Sequence, residues 1–156
     1  MGLMGRMARK DATTELASFL SRRAVAELPA DAPFLWNALA CCAFIRRVVR
    51  YQTEDPETFT SLRALLWLGA GDCDDMCIAL AALLLRAGWP VRWAVGSNDQ
   101  GAHVWVQTRP PGAHGAWVDC DPSTYRVEPG TSPLVLGELT TANAYDLDGS
   151  EVEVLR

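Results

Sequence analysis

From Cys73 to Ala87 the chain reads Cys-Asp-Asp-Met-Cys-Ile-Ala-Leu-Ala-Ala-Leu-Leu-Leu-Arg-Ala, a helical pattern with almost no polar side after its first turn. Cys77, Leu80 and Leu84 share one face, while Ile78, Leu83 and Leu85 make the others apolar too. A helix apolar all round is buried all round, so the rest of the chain must wrap it. Its start carries chemistry. Asp72 can cap it by accepting from free backbone N–H groups, and Asp74 and Asp75 lie in the first turn, where the helix dipole favours negative charge. Cys73 stands where the same positive end favours a thiolate over a thiol.

Ahead of this helix the spacing predicts two more. One runs from Asp11 to Leu28, with Leu16, Phe19, Leu20 and Val25 inward and Pro29 as its stop. The next runs from Asp31 to about Tyr51, capped by Asp31, with Pro33 in its first turn and a buried stripe of Leu35, Leu39, Cys42, Ile45 and Val49. Arg46, Arg47 and Arg50 fall mostly off that stripe and read as a solvated face near a helix C-terminus. A short helix from Ser61 to Leu68 should end in Gly69-Ala70-Gly71. After Gly88 the apolar period changes to two. Strands are expected at Val91 to Val95, Ala102 to Thr108 and Ala116 to Cys120; Leu134 to Leu136 reads as a further strand, and Tyr145 to Val154 as a hairpin turning at Asp148-Gly149. Helices followed by antiparallel strands are the order of an α+β domain with helices on one sheet face.

The 156 residues suit one domain: a core over about 31–127, an amino-terminal helix in 1–30 and a tail in 128–156. A net charge of −5 and a pI near 5.0 argue against non-specific attraction to nucleic acid. No apolar run reaches membrane-spanning length, and Met1 to Met7 has no secretory pattern, so no membrane partner is expected and the cytoplasm is the default compartment. Five cysteines in that setting read as buried or reactive thiols rather than crosslinks.

Two residues downstream complete a chemical set with Cys73. His103 lies on a strand and Asp121 at the end of another, so a thiol, an imidazole and a carboxylate come from three separate elements. If the two strands form a hairpin centred on Gly112, position 103 falls opposite 121 and 105 opposite 119. His103, Trp105 and Gln107 then share a face with Trp117, Asp119 and Asp121. Asp121 is the expected partner of His103, with Asp119 second. Taken singly, each residue has an ordinary role as core filler, satisfied histidine or turn; the set together points to nucleophilic catalysis.

The motifs Gly71-Asp72-Cys73-Asp74-Asp75, Arg86-Ala87-Gly88-Trp89-Pro90-Val91-Arg92, His103-Val104-Trp105-Val106 and Trp117-Val118-Asp119-Cys120-Asp121-Pro122-Ser123 resemble the transglutaminase-like cysteine-protease superfamily. The resemblance covers about residues 44 to 123 and is nearest the bacterial and phage members that open on Gly-Asp-Cys-Asp/Glu-Asp. It implies a papain-like, transglutaminase-like fold, with Cys73 as nucleophile, His103 as general base and Asp121 as its orienting partner. It also implies acyl transfer through a thioester on a peptide or protein substrate. Trp89 stands where the family has a small apolar residue, and Cys77 where it often has alanine. The Cys73 backbone N–H is one expected oxyanion donor; Asn37, Trp36 or Trp67 are candidates for a second. Three alternatives stand beside this reading. Cys73, Cys77, His103 and Cys120 could hold a structural zinc, though their spacing is not that of a zinc knuckle. Asp72, Asp74 and Asp75 could hold calcium, as in similar calcium-dependent bacterial proteases. The chain could also be an inert structural or assembly protein, virion-associated if phage-encoded, that keeps the fold. His114 reads as an exposed loop residue.

Overall fold

The computed structural model describes residues 1–30, 32–53, 58–99, 101–112 and 115–155. Asp31, the expected cap, and His114 lie outside the described residues.

The amino-terminal segment forms two helices, not the one expected. Helix α1 spans Gly2–Ala12 and α2 spans Glu15–Val25, separated at Thr13-Thr14. The break has a local cause: the Thr14 side chain accepts from the Ala17 N–H at 3.1 Å and so starts a new helix. Within α2, Leu20 is buried, but Phe19 is 58% exposed and does not join the core. Helix α3 covers Phe34–Val48, starting and stopping about three residues inside the expected span, with Pro33 at its N-cap. Its successors Arg50–Tyr51 form a two-residue strand, β1, rather than helix. Helix α4, Leu62–Leu68, is capped by Ser61 and closed by Gly69 at φ 67°, as its sequence predicts. Strand β2, Ala70–Gly71, follows and pairs in parallel with β1.

Helix α5, Cys73–Arg86, is the centre of the molecule: every residue from Asp74 to Leu84 is buried. Met76, Ile78, Leu80, Leu83 and Leu84 are fully buried, and each such side chain contributes about 1.5–3 kcal/mol of transfer free energy. Helices α1 to α4 all pack against it.

Beyond it lie β3 (Val91–Asn98), β4 (Gly101–Thr108), β5 (Val118–Cys120), a 3-10 turn over Pro133–Leu136 in place of the expected strand, β6 (Thr141–Tyr145) and β7 (Glu151–Val154). Five strands form one sheet in the order β5-β4-β3-β6-β7, antiparallel throughout. Val91, Trp93, Val104, Val106 and Cys120 join the core around the helices. The other face holds a smaller cluster of Ala94, Trp105, Leu139 and Ala142, backed by Leu134 and Leu155 from the tail. The tail therefore belongs to the fold: β6 takes the second side of β3, and the expected hairpin at Asp148-Gly149 continues it to the sheet edge. Among the described residues, no helix is long and apolar enough to cross a membrane.

Candidate functional site

Three short features fix Cys73. The β1–β2 pair sets Tyr51 across from Gly71, and the Gln52 N–H donates to the Gly71 carbonyl at 2.9 Å, tying the chain just before the helix. Gly71 is needed there, because a Cβ would lie 2.5 Å from a methyl of Leu65 and 3.0 Å from the Asp75 side chain. Asp72 then caps α5, with its Oδ1 accepting from the Asp75 N–H at 3.4 Å. Asp75 Oδ1 reaches outward and accepts from the Thr60 N–H at 2.6 Å, which anchors the segment ahead of α4. Cys73 is left partly exposed at the start of an otherwise buried helix. One turn later the buried Cys77 thiol donates to the Val104 carbonyl at 3.4 Å, so the first turns of α5 lie against the start of β4.

His103 sits on β4, and its Nε2 lies 2.6 Å from Asp121 Oδ2. The two are brought together by a different register from the one expected. The ladder pairs Val106 with Cys120 and Gln107 with Asp119, a slip of two residues from a hairpin in which 105 faces 119. An even slip leaves every side chain on its own face, so the shared face survives although His103 and Asp121 are diagonal rather than directly opposite. Asp119 is engaged elsewhere: its Oδ1 accepts from the Trp105 indole N–H and from Gln107 Nε2, the latter at 2.8 Å. Trp105 in turn stacks on the His103 ring at 6.0 Å between centroids.

Asp121 is held from both ends. Its Oδ1 accepts from the Ser123 N–H (2.9 Å), the Ser123 hydroxyl (2.7 Å) and the Thr124 N–H (3.2 Å), leaving Oδ2 for the imidazole. Its carbonyl accepts from Arg46 Nε at 2.9 Å and Nη2 at 2.6 Å, while Arg46 Nη1 donates to the Val127 carbonyl at 2.8 Å. The Tyr125 hydroxyl completes the clasp by donating to the Arg46 and Val49 carbonyls at 2.9 and 3.1 Å. Arg46 is thus a tie between α3 and the Asp121 loop, not part of a solvated face. Its spacing of four from Cys42, at the margin of the buried stripe, was the available signal.

The electrostatics follow from this geometry. Burial pulls the His103 pKa down, but its bond to Asp121 and the neighbouring Cys73 outweigh that and push it up to about 10. Burial pushes Asp121 up, and its bond to His103 outweighs this and leaves the carboxyl below the usual range. The buried thiols behave differently: burial pushes Cys41 up to about 12 and Cys77 well above a free thiol, and the Cys42 contact together with burial does the same to Cys120.

Two cavities meet at His103. One, of about 430 Å³, is lined by Cys73, His103, Tyr51, Phe59, Asp72 and Asp74 among others. The second, about 440 Å³, holds His103 and Tyr51 again with Asn98, Thr124, Leu136 and Glu138. Neither is lined by the candidates for a second oxyanion donor. Asn37 lines a separate cavity with Cys41 and Trp89, Trp67 is 85% exposed beside Arg63, and Trp36 lines neither of the two. The proposed zinc set is not gathered either. Among the described residues, the one His, Cys, Asp and Glu group with ligand atoms close enough for an ion is Asp72, Asp74 and Asp75, within 4.8 Å of one another.

Residues 22–122 match the profile of the transglutaminase-like superfamily. A 62-residue stretch is 44% identical to the centrosomal protein of 76 kDa from Xenopus laevis, covering 39% of this chain and 9% of that protein. Among solved structures, a candidate cysteine protease from Cytophaga hutchinsonii superimposes with a TM-score of 0.53 at 18% identity, over 88% of this chain and 49% of that one. Calcium-bound LapG from Legionella pneumophila gives 0.59 at 13% identity, over 96% and 90%. The chain thus spans about a tenth of the curated relative and about half of the Cytophaga protein.

Proposed function

The chain belongs to the transglutaminase-like superfamily, and from that membership and the site's geometry we propose that it is a cysteine-dependent hydrolase that cleaves a peptide or amide bond through a thioester. The observation that carries this reading is the 2.6 Å contact between His103 and a buried Asp121, beside a cavity that His103 shares with Cys73. In this mechanism His103 and Cys73 form an imidazolium–thiolate pair, in keeping with the raised histidine pKa. The thiolate attacks the carbonyl carbon, and the C–N bond then breaks as the leaving amine takes its proton from His103. Water, deprotonated by His103, adds to the thioester and releases the acid. Asp121 holds the ring's orientation and its charge throughout. The partner is a peptide or protein substrate.

Asp72, Asp74 and Asp75 supply hard oxygen ligands of the kind calcium takes. They could hold that ion against the nucleophile's helix turn, where it would offset three negative charges, and the calcium-bound LapG neighbour supports the fit. Two of the three already serve the protein itself, Asp72 as cap and Asp75 as anchor of Thr60. Capping and anchoring account for those two with or without an ion.

The test is labelling with an electrophilic peptide library followed by mass spectrometry. Cys73 should be modified selectively, because the other four cysteines are buried. Labelling no faster at Cys73 than at Cys77 or Cys120 would sink the assignment. It would leave the second reading, an inert assembly module, which the likeness to a protein named for the centrosome favours.

A further inference from the structure

We infer that Tyr51 is a catalytic residue of this site, its phenol donating to the oxyanion that forms on the substrate carbonyl. The inference rests on the acyl-transfer reading and supplies the donor which that reading lacks.

Tyr51 is placed by a backbone pairing. Through the two-residue β1–β2 ladder it is the cross-strand partner of Gly71, two residues before Cys73. The Gln52 N–H bonded to the Gly71 carbonyl ties the chain carrying Tyr51 to the helix start carrying Cys73. Tyr51 lines both cavities that meet at His103, and in one of them it shares the wall with Cys73 itself. A substrate lying through the two cavities across the thiol must therefore pass it. Tyr51 is 42% exposed, and among the described residues no hydrogen bond ties its hydroxyl to another protein group, which leaves the O–H for a ligand. Burial, and then the charges of Cys73, Asp72, Asp121 and Asp74, raise the phenol's pKa above its usual value. The group stays protonated, as a donor must.

The chemistry balances with no further reactant. As Cys73 Sγ bonds to the carbonyl carbon, the C=O π pair moves onto oxygen. The Cys73 backbone N–H and the Tyr51 O–H then donate to that oxygen, and neither proton is transferred. Collapse re-forms C=O and expels the leaving group. A donor aimed where charge develops stabilises this step and leaves ground-state thiolate chemistry alone.

That difference provides the test. Acylation of Cys73 by 4-nitrophenyl acetate passes through an oxyanion, whereas alkylation by iodoacetamide displaces iodide and does not. Both rates would be measured by stopped flow and mass spectrometry on the parent, Tyr51→Phe and Cys73→Ala, with melting temperatures to check folding. Tyr51→Phe should slow acylation on the order of 10²-fold and leave alkylation within about twofold. Unchanged acylation, or equal slowing of both reactions, overturns the Tyr51 role while leaving the nucleophile in place. If the parent's Cys73 neither acylates nor alkylates above the Cys73→Ala background, the acyl-transfer reading itself falls and the inference falls with it.

Discussion

At the scale of single residues, the two aspartates on one sheet face divide the work. Asp121 Oδ2 meets His103, whereas Asp119 satisfies the Trp105 indole and Gln107 amide. Replacing Asp121 by Asn keeps the size but removes the charge, and turnover should fall by about 10³–10⁴. Asp119→Ala leaves two donors without their acceptor and should show mainly as lost stability, about 1–3 kcal/mol; equal losses of turnover in the two variants would refute the division. The pH dependence of stability has a definite sign. A histidine raised from 6.5 to about 10 on folding contributes stability that is complete below pH 6.5 and disappears as pH climbs through about 10. The melting-temperature gap between the parent and His103→Gln should be widest near pH 6 and close toward pH 10. A gap that widens with pH would mean that the imidazole is held neutral instead.

At the scale of elements, the start of α5 was the most legible part of the chain, because capping, dipole and a continuous apolar pattern all act within one helix. Asp72→Ala should cost about 1 kcal/mol with or without calcium if the side chain only caps. A calcium-dependent rise in melting temperature that vanishes in Asp74→Asn would show that the acidic turn holds an ion as well. Local rules read less well where an element's partner is remote in sequence. The helix expected over 11–28 is the shorter Glu15–Val25, begun by the Thr14 cap, and the helix Gly2–Ala12 before it was not expected. The two-residue register slip came from turn geometry, which alternation cannot count. Arg46 leaves the solvated face expected of it for the same reason: its acceptors lie 75 and 81 residues away, and nothing near it in sequence announces them. Arg46→Ala should lower kcat by about 10-fold or more with little change in KM, by freeing the Asp121 loop. Arg46→Lys should restore little, since a single ammonium lacks the forked donors that bridge two carbonyls. A parallel rise in KM would point to the cavity walls rather than to the loop.

At the scale of the whole molecule, the tail after Val127 is where the sequence said least and the fold depends on it most. Alternation in Thr141–Tyr145 is real but short, and a five-residue strand carries no mark of which neighbour it will pair with. In the structure it takes the second side of β3, and Leu147, just beyond it, packs into the core beside α1. The two ends of the chain approach tightly at Gly5, where an added Cβ would lie 1.8 Å from the Leu147 carbonyl oxygen. That partner is backbone in a segment pinned by the sheet on one side and by the Asp146–Ser150 turn on the other, so it cannot yield as a side chain would. Gly5→Ala should therefore force α1 and the tail apart. Although alanine favours helix by about 1 kcal/mol over glycine, the clash should outweigh it and destabilise by about 1–3 kcal/mol. For a chain of this size that is a melting-temperature drop of roughly 2–10 °C. Gly115→Ala meets no atom within 4 Å and serves as the control, with a change within about 0.5 kcal/mol. Because Met4 and Met1 of this same segment line the cavity of Cys73, a displaced α1 should also alter iodoacetamide access to that thiol. If Gly5→Ala melts at or above the parent temperature, the two ends of the chain do not close over α5 in the way described.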